Sequence, residues 1–273
     1  MMANVNTAPL HSLMKTVQVA RRRARFLGRK AAVETVLTEA VPGWTRRGER
    51  LVGRPTLLEL QQHGSWSTSA RELLKNSIGL DDPDWDRVEA EFAGVERSLA
   101  SRHERVQVVY PGSFAVERET SLLLYGLARL LQPECVVETG VADGASSFVL
   151  LAALQKNGKG ELHSLDISND VGALVDNRDS WHLHVVDVRI VEDEFADMLS
   201  RVPPPALFLH DADHRYLAQL CEYATFAATA PPGAIVLSDD VDYSYAFGEF
   251  CENRGLRPNY LFDSRKVAGL VRL

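Results

Sequence analysis

From residue 118 to residue 240 the chain repeats one pattern: a short β-rich run that closes on an acid, alternating with an apolar helix. The β runs are "ECVVETG", "ELHSLDI", "WHLHVVDV", "ALFLHD" and "AIVLSDD", and their ends carry Glu138, Asp166, Asp187, Asp211 and the pair Asp239–Asp240. The helical stretches include "ERETSLLLYGLARLLQP", "ASSFVLLAALQKNG" and "RYLAQLCEYATFAATA", broken by Pro133, "NGKG" and "PPG". Strands that alternate with helices pack as an α/β fold: a doubly wound, mostly parallel sheet with helices on both faces. The closing stretch "RPNYLFDSRKVAGLVRL" reads as a strand pair with a turn at Asp263–Lys266, so the C-terminal strand runs antiparallel. Ligands of such sheets bind outside the carboxyl ends of the strands. The acids are therefore expected to ring one cleft.

Residues 1–105 have a different texture and read as a mainly helical extension, with 106–273 as the sheet domain. "SARELLKNSIGL" is amphipathic. "DDPDWDRVEAEFAGVERSLASRHERV" opens with Asp and Pro, as a helix start should, and spaces Val88, Phe92, Val95 and Leu99 along one helical face. The extension is where a lid, acceptor contacts or homo-oligomer contacts would be built. Its segment "ARRRARFLGRK" is basic, and the plain reading is a solvated helix face or an arm on an acidic surface.

Bulk composition narrows the partners. A formal charge of −7 and a pI near 5.6 give no reason to expect nucleic acid. No apolar run approaches the roughly 20 residues a membrane helix needs. The 3 cysteines form no CxxC pair, which suits free thiols in a reducing compartment, and the N-terminus has no secretory pattern. A cytoplasmic protein with a small-molecule partner is the expectation.

The first loop, "VVETGVADGASSF", sets Glu138, Gly140 and Gly144 between strand and helix. Glycines there let backbone approach a ligand closely. The spacing is neither the G-x-G-x-x-G of dinucleotide binders nor a P-loop. Asp166, ending the next strand, suits a ribose diol. Asp187 suits either an adenine amino group or a helix N-cap. Acidic surroundings without a pyrophosphate cradle favour a cationic nucleoside, which points to S-adenosylmethionine.

With "VVETGVADGASS", "LHSLDI", "LFLHDADHRY" and "IVLSDDV" in this order, the chain resembles class I S-adenosylmethionine-dependent methyltransferases. More narrowly, it resembles the cation-dependent small-molecule O-methyltransferases of the catechol, caffeoyl-CoA, macrocin and cephalosporin-biosynthesis types. The resemblance covers roughly 106–273 and implies a Rossmann-like sheet. It implies that Glu138, Gly140, Ala142 and Ser146 line the methionine and ribose side. It also implies that Asp211, Asp239 and Asp240 hold Mg²⁺, with Asp240 standing where Asn is common; Mn²⁺ or Ca²⁺ is the alternative ion, and Asp213 the alternative ligand to Asp211. His214 stands where the catechol-type enzymes carry a Lys that handles the substrate proton, and a neutral imidazole can take that role.

The expected activity is metal-assisted methylation of a hydroxyl on a catechol, sugar diol or natural-product scaffold. Metal-independent transfer and a non-catalytic cofactor-binding protein are the alternatives. Tyr243, Tyr245 and Phe247 either wall the acceptor pocket or pack in the following helix. His182 and His184 share a strand face without an evident third ligand and read as exposed strand positions. His210 reads as a supporting partner of the metal loop.

Overall fold

A computed structural model describes residues 53–78, 82–188 and 191–273. The basic segment 20–30 lies outside the described residues. In chain order the elements are α1 (Leu57–His63), β1 (Ser65–Ser67), α2 (Ala70–Ile78), α3 (Asp82–Arg105), α4 (Arg118–Leu131), β2 (Cys135–Thr139), α5 (Ala145–Asn157), β3 (Glu161–Asp166) and β4 (Trp181–Val185). They continue with α6 (Val191–Leu199), β5 (Leu207–His210), α7 (Tyr216–Thr229), β6 (Ile235–Ser238), α8 (Ala246–Glu252), β7 (Asn259–Asp263) and β8 (Lys266–Arg272).

The strands form one sheet in the order β1-β7-β8-β6-β5-β2-β3-β4. Every pairing is parallel except those of β8, which runs antiparallel to both β6 and β7. This is the expected doubly wound sheet. Two elements were not anticipated. The three-residue β1 joins the sheet beside β7, so the chain before residue 105 supplies an edge strand. Helix α6 fills the β4–β5 crossover, where Val191, Phe195 and Met198 keep helical spacing behind an apolar strand end that masks them.

Alternate side chains of each strand feed two cores. In β2, Val136 joins Leu123, Leu127, Val149 and Leu150 beneath α4 and α5, with Val88 and Phe92 of α3. Val137 joins Phe195, Tyr223, Phe226 and Phe250 of α6, α7 and α8 on the other face. Each fully buried side chain of this kind contributes about 1.5–3 kcal/mol. No described helix is long and apolar enough to cross a membrane.

The order reverses between β2 and β5: β2 leads outward through β3 to β4, and β5 leads the opposite way to β6. The loops after β2 and β5 therefore part at a topological switch point, where open α/β sheets bind ligands.

Candidate active site

The loop after β2 is held by backbone. Gly140 adopts φ +82 and donates its N–H to Leu165 O at 2.9 Å. A Cβ at Gly140 would lie 2.0 Å from the carbonyl oxygen of Asp211, so the loops after β2 and β5 touch through backbone that only glycine permits. Ala142 also takes a left-handed φ of +47, and Gly144 (φ +86) caps the start of α5. Asp166 locks this loop from the neighbouring strand: its Oδ2 accepts from Val141 N at 2.9 Å and its Oδ1 from Ser168 N at 3.0 Å.

Glu138 lies beneath the loop with no exposed surface. Its carboxylate accepts hydroxyls from Ser146 at 3.1 Å, Ser164 at 2.6 Å, and Ser147. Burial outweighs these donors and pushes its pKa up to about 7. Asp143, which sequence reasoning passed over, accepts from the backbone N–H groups of Val109 and Tyr110 at 2.9 and 3.0 Å, fastening that segment to the loop. Two exposed apolar side chains, Ile167 and Val188, directly follow Asp166 and Asp187. The Asp187 N–H is taken by Glu194 of α6 at 2.7 Å.

On the other side of the switch point, Asp211, His214 and Asp240 each offer one ligand atom, all within 4.8 Å of one another. His214 Nε2 stands 3.9 Å from Asp211 Oδ1 and 3.5 Å from Asp240 Oδ2. Asp240 adopts φ +52, a conformation Asp tolerates, two residues after β6. Asp213 is turned away to Arg215, whose Nε lies 2.7 Å from its Oδ2. Behind this cluster, Glu222 of α7 accepts from Thr139 at 2.6 Å and pairs with His210 Nδ1 at 2.8 Å.

Lys266, at the start of β8, reaches into the same group of acids. Its ammonium lies 2.6 Å from Asp239 Oδ2 and 3.2 Å from Asp240 Oδ2. Nothing in the sequence around Lys266 signals this, since it sits in the tight turn of the last strand pair. Burial raises the Asp239 pKa to about 6 despite the lysine. Burial, followed by the charge of Asp239, holds Asp211 well above the carboxylate range. Burial works against the Lys266 ammonium, but the surrounding carboxylates outweigh it and keep it charged. Burial and then His210 lower the His214 pKa to about 4, so its ring is neutral near pH 7.

The donor set fits a divalent ion. With all ionised, three carboxylates against one ammonium leave two negative charges, which a dication cancels. Asp239 Oδ1 is buried with no hydrogen-bond partner. Hard oxygen donors of this kind suit Mg²⁺, Mn²⁺ or Ca²⁺.

The three aromatics after β6 separate cleanly. Phe247 is buried against Tyr223 and Tyr260. Tyr245 stands 3.4 Å from Glu59 of α1. Only Tyr243 is both exposed and next to the cluster, its ring 5.6 Å from that of His214 and covered by Arg54 at 4.2 Å.

Residues 137–241 match a family described as a methyltransferase domain. The matched segment starts inside β2 and ends just past Asp240, so it contains the glycine loop, Asp166, Asp211 and His214 but not Lys266. No curated protein matches the sequence significantly. Among solved structures, the chain is similar to the O-methyltransferase from Bacillus cereus in complex with SAH, at 14% identity, 76% of this chain, 98% of that one and a TM-score of 0.47. It is similar to the O-methyltransferase TomG from Streptomyces achromogenes, solved in complex with SAM, at 19% identity, 71% and 91% coverage and a TM-score of 0.47. It is also similar to MycE methyltransferase from the mycinamycin biosynthetic pathway, solved with Mg and SAH, at 19% identity, 41% of this chain, 28% of that one and a TM-score of 0.34.

Proposed function

We propose that this protein is an S-adenosylmethionine-dependent O-methyltransferase acting on a hydroxyl of a small molecule, with a divalent ion assisting. The observation that carries this reading is the backbone contact between Gly140 and Asp211, which joins a nucleoside-type loop to an acid cluster across the switch point.

Asp166 retains acceptor capacity beyond its two backbone bonds and would take the ribose hydroxyls. Ile167 and Val188 offer apolar surface for a nucleobase beside Asp166 and Asp187. Gly140, Ala142 and Ser146 would border the methionine side, with Glu138 fixing that loop from below through its serine hydroxyls.

Asp211, Asp239 and Asp240 would hold the ion, with Lys266 balancing their charge. When bound, a dication supplies positive charge that favours the deprotonated form of a nearby hydroxyl. His214, neutral at physiological pH, would accept the hydroxyl proton. Tyr243 would bound the acceptor, and two adjacent hydroxyls (a catechol or a sugar diol) suit such a site best. Positioning and charge stabilisation supply most of the rate.

A second reading, metal-independent transfer, is favoured by one observation: Lys266 already places a cation among the acids. Methyl transfer to a panel of catechols and sugar diols, assayed with EDTA and again with added Mg²⁺, separates the two. Turnover abolished by EDTA and restored by Mg²⁺ supports the first. EDTA-insensitive turnover supports the second, and cofactor binding without turnover across the panel counts against both.

A further inference from the structure

β4 is the edge strand of the sheet, and β2 and β3 separate it from β5 and the acid cluster. The parallel register of β3 and β4 sets His163 opposite His182 and Leu165 opposite His184. Side chains two apart share a face, so Glu161, His163, His182 and His184 gather on one side of this edge. His182 is an exposed position of β4 and His184 a half-buried one, and His163 and Glu161, on the neighbouring strand, complete a group that spacing within β4 cannot reveal.

The donor atoms converge. Glu161 Oε2 lies 3.4 Å from His182 Nε2 and 3.6 Å from His163 Nε2, and one ligand atom from each of these three residues lies within 4.8 Å of the others. Two ligand atoms on a tetrahedral zinc ion, at about 2.0–2.1 Å from the metal, stand about 3.3–3.4 Å apart. The rings of His163 and His182 stack at 4.6 Å with an interplanar angle of 18°, so the exposed His182 ring must turn for both lone pairs to meet one ion.

His163 carries the argument. It is only 7% exposed, and its Nε2 is buried with no hydrogen-bond partner. Its Nδ1 lies 3.1 Å from His184 Nε2. With Nδ1–H donated to His184, Nε2 is left unprotonated, 3.6 Å from Glu161 Oε2. A metal-binding histidine typically spends its second nitrogen in this way, on a partner that fixes tautomer and ring orientation. The side chains of Glu161 and His182 remain 52% and 43% exposed, which gives an ion a route in from solvent.

We propose that Glu161, His163 and His182 form a second cation site, selective for Zn²⁺ or a similar first-row transition ion, with His184 orienting His163 and a fourth position left to solvent. Two imidazoles and one carboxylate are the donors that zinc accepts in open sites, and imidazole disfavours Mg²⁺. The site is distinct in donor chemistry from the carboxylate-rich cluster at Asp211.

The test is a titration of the full-length protein with Co²⁺ and, by calorimetry, with Zn²⁺, in excess Mg²⁺ to occupy the acid cluster. Wild type and His214→Ala are expected to bind about one equivalent, with the visible absorption of tetrahedral Co²⁺. His182→Ala and Glu161→Gln, both changes at exposed side chains, should weaken binding at least about tenfold while leaving the metal-free melting temperature unchanged. His184→Ala should weaken it about 10- to 100-fold. Zn²⁺ should raise the melting temperature of wild type but not of His182→Ala. Titration curves of His182→Ala and Glu161→Gln that superimpose on wild type would overturn the proposal, as would loss of the Co²⁺ signal in His214→Ala.

Discussion

Lys266 Nζ lies 2.6 Å from Asp239 Oδ2, joining the first residue of β8 to the residue that follows β6. The antiparallel pairing of these strands brings the two together, with Ser238 opposite Gly269. Asp239 has no exposed side-chain surface and Lys266 only 9%. Removing one partner of such a buried pair leaves an uncompensated charge, at a cost of about 3–5 kcal/mol. Lys266→Met should lose stability on that scale in urea unfolding at pH 8 without divalent ions, and Mg²⁺ should restore part of the loss. Unfolding curves identical to wild type in EDTA would show that the lysine does not neutralise the cluster.

Glu138 gives the protein a pH signature. Its pKa is raised from 4.5 to about 7 by burial. The folded state therefore binds more protons than the unfolded state between these values, and stability falls as pH rises through that window. The contribution is on the order of 3 kcal/mol. Urea unfolding at pH 5 and pH 8 should show wild type losing stability, with Glu138→Gln losing much less. Equal slopes for the two proteins would remove Glu138 as the cause.

Gly140→Ala tests the contact between the two loops. The added Cβ meets the Asp211 carbonyl oxygen at 2.0 Å, and the residue must also hold φ +82. A strained left-handed residue alone costs about 1–3 kcal/mol. Both the melting temperature and the affinity for S-adenosylhomocysteine should drop. Gly255→Ala, also at positive φ but with open space around it, should lower the melting temperature less and leave ligand affinity intact.

The two halves of the site should respond separately. Asp166→Ala removes the acceptor for the Val141 N–H and should raise the dissociation constant of S-adenosylhomocysteine at least about tenfold, a change of about 1.4 kcal/mol. Asp239→Ala should spare that constant within a few-fold and abolish transfer. Calorimetry measures the first effect and a methyl-transfer assay the second. An active Asp239→Ala enzyme would rule Asp239 out of the proposed ion site.

By itself the sequence determined the α/β class, the strands β2 to β6 with the helices α4, α5 and α7, the C-terminal strand pair and the acid that closes each β run. These follow from local periodicity, from glycine and proline breaks and from turn chemistry, all of which act over a few residues. Tertiary structure alone decided what those residues face. The three-residue β1 is too short to show a period, and it is a strand only because β7 pairs with it. Tyr243 borders the cluster while Phe247 packs in the core, a difference that turns on how α8 docks. Lys266 meets Asp239 through the β6–β8 register, and His163 meets His182 through the β3–β4 register. Register and strand order are set by long-range pairing and burial, so a charge or a ligand supplied by a neighbouring strand leaves no mark in the spacing of the strand it serves.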